Sequence, residues 1–252
     1  HAEAHQRQHA GAVDHDRREG LGHREGRLAG VSELSARPAV HLHRLAVPQP
    51  VDTVLFDFHS TLVDQGSSLE WISGANELLA ESVSHEVVPR AAADYLDRVW
   101  EHARAVDPAA KRDRSTEAHR TVFVGTMVKS RGITEVMAEA LYATLTKTWH
   151  AYHDAVPVLR ALHDEGVRLV ILSNTGIDIR PTLEREGLLP LADAVVLSYE
   201  VGHVKPDPAI FRVALDSVGA DPSGALMVGD SAHDDGGAAA DVEGHSRTAA
   251  GV

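Results

Sequence analysis

Four short segments of this 252-residue chain bring together residue types able to do chemistry: Asp57-Phe-His59-Ser-Thr-Leu, Ser173-Asn174, Lys205-Pro-Asp-Pro, and Gly229-Asp230-Ser followed by Asp234 and Asp235. A carboxylate fixed at a strand end can attack a phosphoryl phosphorus or an alkyl carbon and form a covalent intermediate, provided the electrophile is held in line and its charge neutralised. A hydroxyl and neighbouring amides can hold the transferring group, and a fixed ammonium supplies positive charge to nucleophile and transition state. Oxygen ligands on separate loops suit Mg²⁺, which keeps several waters and needs one or two protein carboxylates. Singly, each segment is weak. Lys205 with Pro-Asp-Pro also reads as a solvated turn in which Asp207 caps the following helix, and one of Asp234 and Asp235 reads as a helix cap or dipole partner.

The elements that must position these residues are legible as apolar runs. Thr-Val-Leu-Phe-Asp-Phe (53–58), Val167 to Ser173, Asp193 to Ser198 and Ala225 to Asp230 are short, apolar and followed by turn residues and helical stretches. Such runs read as buried parallel strands. Strands alternating with helices imply an α/β fold, a doubly wound Rossmann-like parallel sheet with its site outside the carboxyl ends of the strands. The polar residues then fall on one rim.

More than a hundred residues separate the first strand from the second, too many for one right-handed crossover. They are expected to form an inserted helical domain over residues 65–155, with helices at Ser68 to Glu81, Pro89 to Val106, Ser115 to Ser130 and Thr134 to His153. Trp71, Tyr95, Trp100, Phe123, Tyr142 and Trp149 are spread among apolar neighbours in these helices and read as the core of a small bundle. Residues 51–64 and 156–252 make up the sheet domain.

Composition sets the outer bounds. The chain carries 24 Lys and Arg against 37 Asp and Glu, a formal charge of -13, which disfavours nucleic-acid or anionic-membrane partners. It has no Cys, so a disulfide framework, a thiolate zinc site and a cysteine nucleophile are excluded, and cytoplasm is the default compartment. No apolar run approaches the roughly 20 residues of a spanning helix. Residues 1–50 hold 7 of the 17 His, 7 Arg, 6 acidic residues and no aromatic, and read as a disordered arm. Within it the spacing of His1, His5 and His9 is compositional chance rather than a metal site. The start at His1, with no Met before Met127, reads as a fragment boundary or a mis-assigned start. The excess acidity lies in the part expected to fold, where acidic rim residues need a divalent cation to admit a phosphate.

In order and spacing, the four segments resemble the haloacid dehalogenase superfamily of hydrolases over essentially residues 52 to 243, in particular members with a helical cap inserted after the first motif. The resemblance implies a Mg²⁺-dependent phosphatase acting on a small phosphorylated metabolite through an aspartyl-phosphate. Asp57 would be the nucleophile. Ser173 and Lys205 would hold and neutralise the transferring group with Asn174 nearby. The metal set would be Asp57, the His59 carbonyl, Asp230 and Asp235, although either Asp234 or Asp235 could be the supporting carboxylate. A phosphoryl-accepting receiver domain also uses a strand-end Asp, a hydroxyl and a Lys, but it normally has about half this length and no such insertion.

Two features depart from the family pattern. Most of its phosphatases carry a second Asp, the acid and base, two residues after the nucleophile, where this chain has His59. Three readings follow: an imidazole that carries the proton; a dehalogenase- or phosphonatase-like hydrolase that does without that acid; or a weakly active or inactive ligand-binding homologue. Asp230 argues against the dehalogenase. The second departure is the short, barely apolar segment His245 to Val252, expected to fray.

Overall fold

The computed structural model describes residues 50–80, 88 and 90–239. The expected arm lies outside the described residues except for its last position, and the expected frayed terminus lies wholly outside them.

The first apolar run becomes β1 (Thr53–Phe56). The chain then turns sharply, with Ser60 in the left-handed region at φ 62°, and enters a two-residue strand, β2 (Val63–Asp64). From there it passes into helices: α1 (Ser68–Ala80), α2 (Arg90–Leu96) and α3 (Val99–Val106), a single 3₁₀ turn at Lys111–Asp113, then α4 (Thr116–Met127) and α5 (Glu135–Ala143). It returns through β3 (His150–Ala151), which pairs antiparallel with β2. The rest alternates: α6 (Ala155–Asp164), β4 (Arg168–Ser173), α7 (Arg180–Arg185), β5 (Ala194–Leu197), the one-turn α8 (Ser198–Val201), α9 (Pro208–Ser217) and β6 (Ala225–Val228).

The four long strands form one parallel sheet in the order β5-β4-β1-β6. β1 is central, with Phe56 level with Ile171 and Val228. Side chains alternate across the sheet, as period 2 requires. Leu55, Val170, Leu172, Val196 and Met227 face α9, which buries Ile210, Phe211, Ala214 and Leu215 against them. Val54, Phe56, Leu169, Ile171 and Leu197 face the other way and join a cluster that includes Leu159 of α6, Leu183 of α7 and the inserted helices. Both faces are covered, so the strands carry almost no polar residue before their carboxyl ends. Among the described residues no helix is long and apolar enough to cross a membrane.

Two expected helices are interrupted. The stretch after Pro89 breaks at Asp97–Arg98: Arg98 N–H bonds Tyr95 O at 3.2 Å in a tighter turn. There, Gln65 Nε2 reaches Asp97 O at 3.4 Å and Ser68 N–H reaches the Asp97 carboxylate at 3.3 Å. The chain entering the insertion thus competes for the groups that would continue the helix. The stretch after Thr134 stops at Ala143, where Thr144 Oγ1 turns back onto Ala140 O at 2.8 Å, a local bond of the kind that weakens helix interiors. The residues beyond form turns and β3 instead of helix. Ser115 and Thr134 act as N-caps, their side chains accepting from Ala118 N and Met137 N. Asp207 caps α9 in the same way.

Candidate active site

The carboxyl ends of the parallel strands deliver the expected residues to one place. Asp57 follows β1, its N–H bonded to Val228 O at 2.9 Å across to β6. Ser173 ends β4. Lys205 lies on the loop between α8 and α9, and Asp230 just past β6. Asp57, Ser173, Asn174, Lys205, Asp230 and Asp235 all line one cavity of about 690 Å³, a size typical of small-molecule sites.

Lys205 is the hub. Its Nζ lies 2.6 Å from Asp57 Oδ1 and 2.7 Å from Asp235 Oδ1, with all three side chains largely out of solvent. Burial alone would favour loss of its proton, but the two carboxylates outweigh it and hold the ammonium above its ordinary value. The other Asp57 oxygen accepts from Thr61 Oγ1 at 3.1 Å. Asp235 Oδ2 accepts from Ser231 N–H at 3.0 Å. Both Asp235 oxygens are therefore engaged within the protein, as both Asp57 oxygens are, and Asp235 supports Lys205 and the loop after Asp230. Asp234 instead faces His233, Oδ1 to Nδ1, at 2.9 Å. A Cβ built on Gly229 would overlap the Asp235 carboxylate, so the residue before Asp230 has no room for a side chain.

Asn174 lines the cavity as expected, and its side chain is tied to Lys205. Its Oδ1 accepts from Lys205 N–H at 2.8 Å and its Nδ2 donates to Lys205 O at 3.0 Å. The amide fixes the main chain of the lysine.

His59 also lines the cavity, its ring packed against Trp100 at 4.9 Å and Trp149 at 5.5 Å between centroids. Nδ1 lies 3.1 Å from Ser60 Oγ. Burial lowers the imidazole below its ordinary value, with Asp57 opposing and Arg104 adding to the shift. Asp230 is pushed up by burial, then by the charges of Asp57 and Asp235. Three carboxylates thus crowd around one ammonium.

The inserted helices contribute a second wall that spacing could not reveal. Trp149 is buried as expected, but it and Trp100 also face the cavity. Arg112 is held between Asp107, at 3.5 Å, and Asp113, at 3.0 Å. Burial raises Asp113 to about 6 despite that arginine. His119, hydrogen-bonded through Nδ1 to Tyr142 Oη at 2.9 Å, is lowered to about 3 by burial and the Arg112 charge. This wall is seated on the sheet through Ser198, whose hydroxyl donates to Asp113 O or Thr175 O and accepts from Thr175 N–H. Of the site residues missed in the sequence, Thr61 alone had a local signal, standing four residues after Asp57.

A strand-end carboxylate ion-paired to a buried lysine, on the rim of a β5-β4-β1-β6 sheet with helices inserted after the first strand, defines a class of α/β hydrolases. Residues 51–242 match the haloacid dehalogenase-like hydrolases, and the chain belongs to that family. It is 33% identical over 108 residues to pyrophosphatase PpaX of Halalkalibacterium halodurans, covering 38% of this chain and 49% of that protein. It is 27% identical over 196 residues to PpaX of Bacillus pumilus, covering 73% and 76% of the two chains. The chain thus spans about half or less of the length of the first curated relatives it matches. Among solved structures, the putative hydrolase YfnB of Bacillus subtilis, bound to magnesium, shares the fold with a TM-score of 0.59 at 20% identity, over 79% of this chain and 88% of that one.

Proposed function

We propose that the chain is a Mg²⁺-dependent phosphatase of small phosphorylated metabolites that works through an aspartyl-phosphate on Asp57. The observation that carries this reading is the Lys205 ammonium held between Asp57 and Asp235 on the floor of the cavity. It fixes a nucleophilic oxygen beside a positive charge that can also receive phosphoryl oxygens.

The donor set fits a hard divalent cation. Asp57 and Asp230 follow paired strands, the Asp230 carboxyl is pushed up by burial and by its acidic neighbours, and all the candidate ligand atoms are oxygens. Among the described residues no three His, Asp or Glu side chains are grouped to hold a metal. Asp57, Asp230 and the His59 carbonyl, with Asp235 in support, are the proposed set, which suits an ion retaining several waters. Bound there, Mg²⁺ would offset the charge of the carboxylates and of the phosphate oxygens.

The chain's own residues do the rest. Asp57 attacks phosphorus, an O–P bond forms and the ester P–O bond breaks, while Lys205 and the Ser173 hydroxyl hold the transferring group in line. His59 carries the proton that the leaving oxygen needs and removes one from the water that then attacks phosphorus. That second attack releases inorganic phosphate and restores the Asp57 carboxylate.

A screen of phosphate esters, phosphonates and haloacids, with phosphate and halide release both measured, tests the reading. Phosphate release from esters, dependent on Mg²⁺ and stopped by a chelator, is expected. Halide release, or phosphate release indifferent to the chelator, would overturn it.

A further inference from the structure

Four cations line the cavity: Lys205, Arg112, Arg98 and Arg104. Lys205 and Arg112 each sit between two carboxylates. Arg104 is exposed on α3, one turn beyond Trp100, and makes no ion pair among the described residues. This is unusual in a wall that also carries Glu101, Asp107 and Asp113, where acidic partners are close at hand. Arg104 stands four residues after Trp100 on α3, so it shares the helix face whose indole packs on His59 at 4.9 Å. Arg98 also lines the cavity and is likewise unpaired among the described residues, but two residues before Trp100 it is off that face.

A guanidinium presents planar donors that match a carboxylate or phosphate in a two-point contact. On the proposed function above, one end of the substrate is a phosphoryl group at Asp57, and Trp100 and Trp149 line the same cavity as Arg104. We propose that Arg104 is a specificity residue that receives a second anionic group of the substrate, so that the preferred substrates are small phosphate monoesters bearing a distal carboxylate or second phosphate. This inference rests on the phosphatase reading.

The test is calorimetric binding of non-hydrolysable probes with Mg²⁺ present: phenylphosphonate, 4-phosphonobenzoate and 1,4-phenylenediphosphonate. Wild-type protein should bind at least one of the two doubly anionic probes roughly 10- to 100-fold more tightly than phenylphosphonate, the range for a charged hydrogen-bonded contact. Whichever of the two binds more tightly identifies the second group. Arg104→Ala should reduce that preference to near unity while leaving phenylphosphonate binding unchanged, and Arg104→Lys should restore part of it. No preference in the wild type, a preference that survives Arg104→Ala, or an equal weakening of all three probes would overturn the inference. The last result would mean that Arg104 only offsets the acidity of the wall. Failure of the underlying reading shows separately, as absence of phosphate release from phenyl phosphate, which loss of the Arg104 inference leaves intact.

Discussion

Asn174 grips Lys205 by its main chain, accepting from its N–H and donating to its C=O with the two ends of one side-chain amide. The lysine that touches the nucleophile is therefore aimed by a residue on the next strand-end loop. Asn174→Ala should lower kcat on 4-nitrophenyl phosphate by about 10²-fold, the scale of a 1 Å misplacement, with a smaller change in KM. A KM effect alone would instead indicate direct substrate contact.

Gly176 sits where the loop after β4 meets the inserted helices. A Cβ there would overlap Arg112 O, Ser115 O and His119. Gly176→Ala should cost about 1–3 kcal/mol, as overpacking does, and lower the thermal midpoint. Gly74→Ala is the control: that position lies within α1 with nothing near its missing Cβ. It should be neutral or stabilising by up to about 1 kcal/mol.

His59 is the proposed proton carrier, and leaving-group dependence tests it. 4-Nitrophenolate departs without a proton, whereas an alkoxide does not. In single-turnover measurements His59→Asn should therefore slow formation of the aspartyl-phosphate from an alkyl phosphate by about 10²- to 10⁴-fold and from 4-nitrophenyl phosphate much less, while its later hydrolysis slows alike after both. Equal losses in the formation step would point to a packing role between Trp100 and Trp149.

His119 makes the fold acid-sensitive. Its pKa is lowered from 6.5 to about 3 in the folded chain, so between those values the unfolded state binds more protons. Stability then rises with pH over that window. The contribution is complete above 6.5 and is lost progressively as pH falls toward 3. His119→Gln, which keeps a polar partner for Tyr142, should flatten the urea midpoint against pH between 6.5 and 3; an unchanged slope would assign the sensitivity to other groups.

The sheet and its rim were readable because strands buried on both faces leave unbroken apolar runs, and because Asp57, Ser173 and Asp230 stand at the ends of three of them. The breaks at Asp97–Arg98 and Thr144 were not, since they depend on hydrogen bonds from Gln65 and Ser68 or on a local threonine bond that competes with helix. The face of a residue in the insertion was equally hidden. Trp100 and Trp149 have the spacing of core residues and also serve as cavity wall, and the pairing of Arg112 with Asp107 and Asp113 exists only once the 3₁₀ turn has formed. Asn174 was legible as a site residue, while its partner, the main chain of Lys205, lies 31 positions away in sequence.

The nucleophile is the core of the proposed function, and Asp57→Asn probes it most directly. The amide is isosteric and retains an oxygen that can accept from Lys205 Nζ, so the circular dichroism spectrum and melting behaviour should stay close to wild type. Phosphate release from 4-nitrophenyl phosphate with Mg²⁺ should fall to background. Turnover by folded Asp57→Asn at the wild-type rate would rule out an aspartyl-phosphate on Asp57.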